Sequence, residues 1–184
     1  MRAAVQGGLE QARQVWWNGA IRGIWQGFGA DLRHMNRYKG VPERVQLTLG
    51  AAAPARIIIK RRTGGFLNKP MTLFGPPLVD PMRFVGREHF WFRTEQPMLL
   101  ETLLSSKGMA EALEANLIVS FDVVDIGPGR VKILRAVDDG RVRQHYGHSR
   151  FSWRSDPELA DPVVAEEWKL AEAIAGSGIL RRTE

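Results

Sequence analysis

Four histidines, His34, His89, His145 and His148, are the side chains whose ordinary pKa lies nearest neutrality, and the chain has no cysteine. Metal binding or proton transfer would therefore rest on these histidines and on carboxylates. His145 and His148 stand three apart in HYGH, a spacing that could hold a metal on a helix, but Gly147 between them favours a turn or strand. A structural zinc site takes about four ligands, and the neighbouring Asp138 and Asp139 read first as turn residues in DDGR. Ser105, Ser106, Ser149 and Ser152 lack the strained elbow of a serine hydrolase. Neither GFGA at 27–30 nor GPGR at 127–130 is long enough to cradle a pyrophosphate. The acid pairs Glu111 with Glu114 and Glu166 with Glu167 fall on predicted helix faces, where solvated surface is the ordinary explanation. No nucleophile, general base, metal or cofactor site is nominated. An enzyme with an unrecognised site is the third-ranked reading.

Charge is the stronger signal. Residues 1–39 carry six Lys/Arg against two acids and residues 40–79 six against one, whereas residues 80–139 carry seven against ten and residues 140–184 seven against seven. The basic surplus thus sits in the first 79 residues, which suits an acidic partner: phospholipid headgroups, nucleic acid or an acidic protein. Plain solvation of the exterior accounts for it equally well. Its densest point is Lys60-Arg61-Arg62, followed by Thr63-Gly64-Gly65, a basic tip that could contact an anionic partner or simply guard a sheet edge.

Elements must position these groups, and the N-terminal segment has the most regular apolar spacing. Leu9, Ala12, Trp16, Ala20, Ile24, Phe28 and Leu32 recur in steps of three and four, and Trp17, Ile21 and Trp25 widen the stripe. The spacing predicts an amphipathic helix over residues 1–38, with Arg13, Arg22, Arg33 and Arg37 around it. Gly19, Gly23 and Gly27, four apart, would let another backbone approach closely. Three uses are open to such a helix: docking on the protein's own sheet, lying in a membrane surface, or packing on a partner.

Residues 44–176 read as a folded α+β domain. RVQLTLG and ARIIIKRR look like strands of a hairpin. RFVGREHFWFRT, then a helix with Leu99, Leu100, Leu103 and Leu104, then LIVSFDVV and RVKILRAV about a Gly-Pro-Gly turn, form the organising unit from Phe84 to Val137. A short edge strand falls at MTLF, VRQHYGHSRFSW is a weaker strand, and VVAEEWKLAEAIA closes the domain as a helix before a frayed basic tail, 177–184. The expected fold class is α+β: a single domain, mainly an antiparallel sheet of about five to seven strands with helices packed on one face, preceded by the long amphipathic N-terminal helix. The most apolar stretch, VWWNGAIRGIWQGFGA, is shorter than the roughly 20 residues that span a bilayer and contains Arg22, and no secretory signal is visible. A cytoplasmic protein is expected, with attachment at the membrane periphery as one use of the helix.

RTEQP, LLSSKG, IGPGRV and DPELADP, in that order over residues 80–175, resemble a bacterial domain family of unknown function whose members often sit beside membrane helices. The resemblance implies no catalytic residue. The expected function is a non-enzymatic docking or scaffold module that engages a membrane surface, a protein partner or another copy of itself. The residues expected to do so are Trp16, Trp17, Gly19, Ile21, Arg22, Gly23, Trp25, Gly27 and Phe28, with Lys60, Arg61 and Arg62 meeting anionic groups. Nucleic-acid binding through the basic first 79 residues is the alternative.

Overall fold

The computed structural model describes residues 8–15, 20–35, 44–62, 75–118, 121–136 and 157–182. Within them the chain forms a ten-stranded antiparallel sheet. Its strands are β1 (Glu10–Val15), β2 (Ala20–Trp25), β3 (Phe28–Met35), β4 (Arg44–Ala52), β5 (Ile57–Arg61), β6 (Leu78–Val79), β7 (Phe90–Thr94), β8 (Phe121–Ile126), β9 (Val131–Ala136) and β10 (Arg181–Arg182). They lie in the order β1-β2-β3-β4-β9-β8-β5-β7-β6, and β10 pairs with β4. Three helices, α1 (Pro97–Leu104), α2 (Met109–Ile118) and α3 (Pro157–Gly176), complete the described structure with a 3-10 turn at Arg87–His89.

Two expectations are corrected. Residues 10–15, 20–25 and 28–35 are strands β1 to β3, so no long N-terminal helix is formed by the described residues, and the sheet is larger than expected. A four-residue step explains the misreading: it keeps a residue near one face of a helix and, being even, on one face of a strand. Ile21 with Trp25 in β2, and Phe28 with Leu32 in β3, fit both periods and share the core face, while Ala20 is also buried in β2 and Arg22 is its exposed member. The β2–β3 connection is two residues long, and Gln26 and Gly27 both have positive φ (48° and 79°), as a tight type I′ hairpin requires. The expected β4–β5 hairpin is also absent. β4 pairs with β3 and β9, and β5 lies between β8 and β7. The predicted strands at MTLF and VRQHYGHSRFSW lie outside the described residues. The tail expected to fray carries β10, paired at Arg181 with Ala52.

Register aligns the core. Ile21, Leu32, Leu47, Ile133, Val124, Ile59, Phe92 and Val79 stand side by side on eight successive strands. Every one but Val79 is buried, and Val79 packs against the same cluster. The helices cover this face with Leu100, Leu103 and Leu104 of α1, Met109 and Leu113 of α2, and Val164, Trp168, Ala171 and Ile174 of α3. Trp25 meets Trp168 with ring centroids 5.4 Å apart, which fixes α3 over β2.

Glu167 is the polar exception in that layer. It is fully buried and neither carboxylate oxygen has a hydrogen-bond partner. Burial pushes its carboxyl up to about 8, against the opposing pull of the positive charge of Arg135 in β9. The folded state therefore holds this proton more tightly than the unfolded chain does. The stability linked to it is complete below the ordinary glutamate value and is lost as pH rises towards 8. Urea midpoints measured from pH 5 to pH 9 should show Glu167→Gln gaining on the parent as pH rises; a constant difference would mean the group does not titrate in this window.

Gly23 distinguishes strand from helix. A Cβ there would meet the backbone carbonyl of Glu10 and come within 2.7 Å of Leu9 Cγ on the neighbouring strand. Gly23→Ala is expected to destabilise by on the order of 1–3 kcal/mol in urea unfolding through overpacking. In an amphipathic helix the same change would stabilise by about 1 kcal/mol.

Candidate anionic-partner interface on the open sheet face

Side chains alternate across a sheet, so the residues that build the apolar rows force their neighbours onto the opposite face. One such row runs Arg13, Arg22, Asp31, Thr48, Lys132, Asp125, Ile58, Arg93 and Leu78 over nine strands. At the usual strand spacing it is roughly 40 Å long. A second row sets Arg33, Gln46, Leu134, Val123, Lys60 and Trp91 beside it. No described helix covers this face. Arg44, Arg56, Arg62, Arg130 and Arg181 belong to it by the same alternation, as does Glu95, so cations outnumber the acids Glu10, Asp31, Glu95 and Asp125 on this face.

Two of those acids hold arginines in place. Asp31 accepts Arg22 Nε at 2.7 Å and Arg33 Nη2 at 3.0 Å, while Asp125 takes both Nε (2.9 Å) and Nη2 (2.7 Å) of Arg56. Desolvation pushes the Asp31 carboxyl upward, but the hydrogen bonds and charges of Arg33 and Arg22 outweigh it and leave the group below its ordinary value. Exposed pairs of this kind add little stability. Their effect here is to fix three guanidinium planes on the sheet. Beyond Arg56 and Asp125 the face opens into a shallow groove bordered by Pro54, Glu95, Gly127 and Arg130.

At the β5–β7 end a different arrangement orders a fourth. Arg62 Cζ lies 3.8 Å from the centroid of the Trp91 ring, and its Nε donates to the Phe90 carbonyl at 2.8 Å. Lys60 is the register partner of Trp91, and Arg93 Nε donates to the Pro76 carbonyl at 2.6 Å.

The structure separates the residues nominated from sequence. Trp16, Trp17 and Gly19 lie outside the described residues. Ile21 and Trp25 are core, Phe28 packs partly buried against it, Gly23 faces Leu9, and Gly27 sits in the β2–β3 turn beside Arg182. Arg22 alone of that set that is described presents its charge on the open face. Of the basic run, Lys60 and Arg62 are exposed on the open face and Arg61 is buried on the other, as strand alternation demands. Trp91, Arg93, Lys132 and the organising acids Asp31 and Asp125 were not singled out. The signal for Asp125 and Lys132 was available in the outward positions of FDVVDI and RVKILRAV, and that for Trp91 and Arg93 in those of FWFRT. His145 and His148 lie outside the described residues, and among the described residues no group of three or more His, Asp or Glu is placed to hold a metal. Among the same residues no helix is long and apolar enough to cross a membrane.

No protein-family model matches this chain, and no curated protein matches its sequence. Among solved structures, the mycobacterial trehalose monomycolate transport factor A, TtfA, is similar with a TM-score of 0.47 at 8% identity, over 94% of this chain and 92% of that one. Similarity at that level carries no argument about fold or function.

Proposed function

We propose that the protein is a non-enzymatic docking module whose open sheet face receives an acidic surface of a protein partner. The observation that carries this reading is the excess of cations over acids on one sheet face, several of them held in fixed orientation. Ordered guanidinium groups match carboxylates in a planar, two-bonded geometry and lose little freedom on binding. Arginine and tryptophan are also the side chains that contribute most at protein interfaces.

Nucleic acid is the competing partner, favoured by Trp91 lying among Lys60, Arg62 and Arg93 on a sheet surface. Two features weigh against it. The ring of Trp91 is already covered by Arg62, and Glu10, Asp31 and Asp125 would face a polyphosphate with like charge. An anionic bilayer would be met by exposed apolar groups that insert. The most exposed of these, Met82, Val85 and Met98, belong to the 80–86 loop and α1 and not to the strands of this face.

Binding of the intact protein to poly-L-glutamate, to a single-stranded oligodeoxynucleotide and to phosphatidylglycerol vesicles separates the three partners. Poly-L-glutamate should bind most tightly at low salt and weaken as salt rises. The double reversal Arg13→Glu with Lys60→Glu should weaken it by about tenfold or more, equivalent to roughly 1.4 kcal/mol. Tighter binding to the oligonucleotide or the vesicles, or indifference to the reversal, would contradict the proposal.

A further inference from the structure

The cations of the open face differ in what holds them. Arg22, Arg33 and Arg56 are oriented by carboxylates, which neutralise part of the charge they present. Among the described residues Arg62 is oriented by neutral groups, a backbone carbonyl and an indole ring. Among the described residues neither Arg62 nor Lys60 has an ion-pair partner, and neither Nη of Arg62 carries a hydrogen bond. The same place holds Trp91 Nε1, a buried donor without an acceptor. The station is ordered in advance, and among the described residues no carboxylate compensates its charge.

We infer that Arg62 on Trp91, with Lys60 beside it, is the anchor that takes one aspartate or glutamate carboxylate of the acidic partner; this rests on the docking function proposed above. The guanidinium spends Nε on Phe90 and keeps its Nη pair for the incoming group, which suits a planar carboxylate accepting two parallel bonds. Stacking on Trp91 removes rotamer freedom before the partner arrives, so less is lost on binding. Lys60, a mobile point charge, adds attraction without setting geometry. The carboxylate-held arginines along the row then supply longer-range attraction to the rest of the partner's acidic surface.

An N-acetylated octaglutamate peptide titrated into the intact protein at low salt, followed by calorimetry, provides the test. Arg62→Lys keeps the charge and removes the planar fork; it should weaken binding by about tenfold. Lys107→Gln removes an exposed charge between α1 and α2, away from the open face, and should change it by less than about twofold. The Arg62 side-chain Nε–H resonance of the parent protein should shift on peptide addition, a readout that does not depend on any variant folding. If the parent binds the peptide but Arg62→Lys binds as tightly and the Arg62 resonance stays still, the anchor is wrong while the docking face stands. If the parent does not bind the peptide, or binds an eight-nucleotide oligodeoxynucleotide more tightly, the docking reading falls and the anchor with it.

Discussion

The alignment of one apolar residue on each of eight neighbouring strands, from Ile21 to Val79, is the constraint on which the rest depends. Each fully buried aliphatic or aromatic side chain contributes about 1.5–3 kcal/mol of transfer free energy. Slipping one strand by a single residue would turn its whole apolar set to solvent. The register is therefore specified by the core, and the outward row has no independent choice. Arg22, Asp31, Thr48, Lys132, Asp125 and Arg93 are brought together because Ile21, Leu32, Leu47, Ile133, Val124 and Phe92 are. The open face is the complement of the hydrophobic one.

This pairing gives the charge asymmetry of the chain a structural meaning. Most of the cations on the open face, Arg13, Arg22, Arg33, Arg44, Arg56, Lys60 and Arg62, come from the first 79 residues. Those residues supply β1 to β6, which lie at both ends of the strand order, while β8 and β9 are inserted between β4 and β5. The basic surplus is consequently spread across the whole face instead of being confined to one tip. The acids beside it, Asp31 and Asp125, order the arginines while reducing their net charge.

Segments with one unambiguous period were legible from sequence. Val45, Leu47 and Leu49 alternate with Gln46 and Thr48, and the burial of β4 follows that alternation. Leu100, Leu103 and Leu104 occupy one side of α1, and Val164, Trp168 and Ala171 one side of α3. Residues 9–35 were not legible, because four-residue steps satisfy both periods and the tryptophans drew attention to a helix stripe. The three glycines carried the contrary signal, since each costs about 1 kcal/mol in a helix interior. Gly27 at φ 79° and Gly23 pressed against Glu10 show what they are for. Pairing was the other obscure layer. β4 and β5 are consecutive and were read as a hairpin, yet two later strands separate them, and nothing local in Ala53–Pro54 encodes that distance. The contact of Arg62 with Trp91 joins strands paired only in the folded sheet, so no motif announced it.

Residues 20–25, 28–35 and 44–49 are strands whose outward residues Arg22, Asp31 and Thr48 stand in one row with Lys132. Solution NMR of the intact chain tests this arrangement most directly. Cross-strand contacts are expected between Gly23 and Ala30, between Asp31 and Thr48, and between Thr48 and Lys132, with slow amide exchange along β3 and β4. Sequential amide–amide contacts running through residues 20–35, as in a continuous helix, would contradict the account.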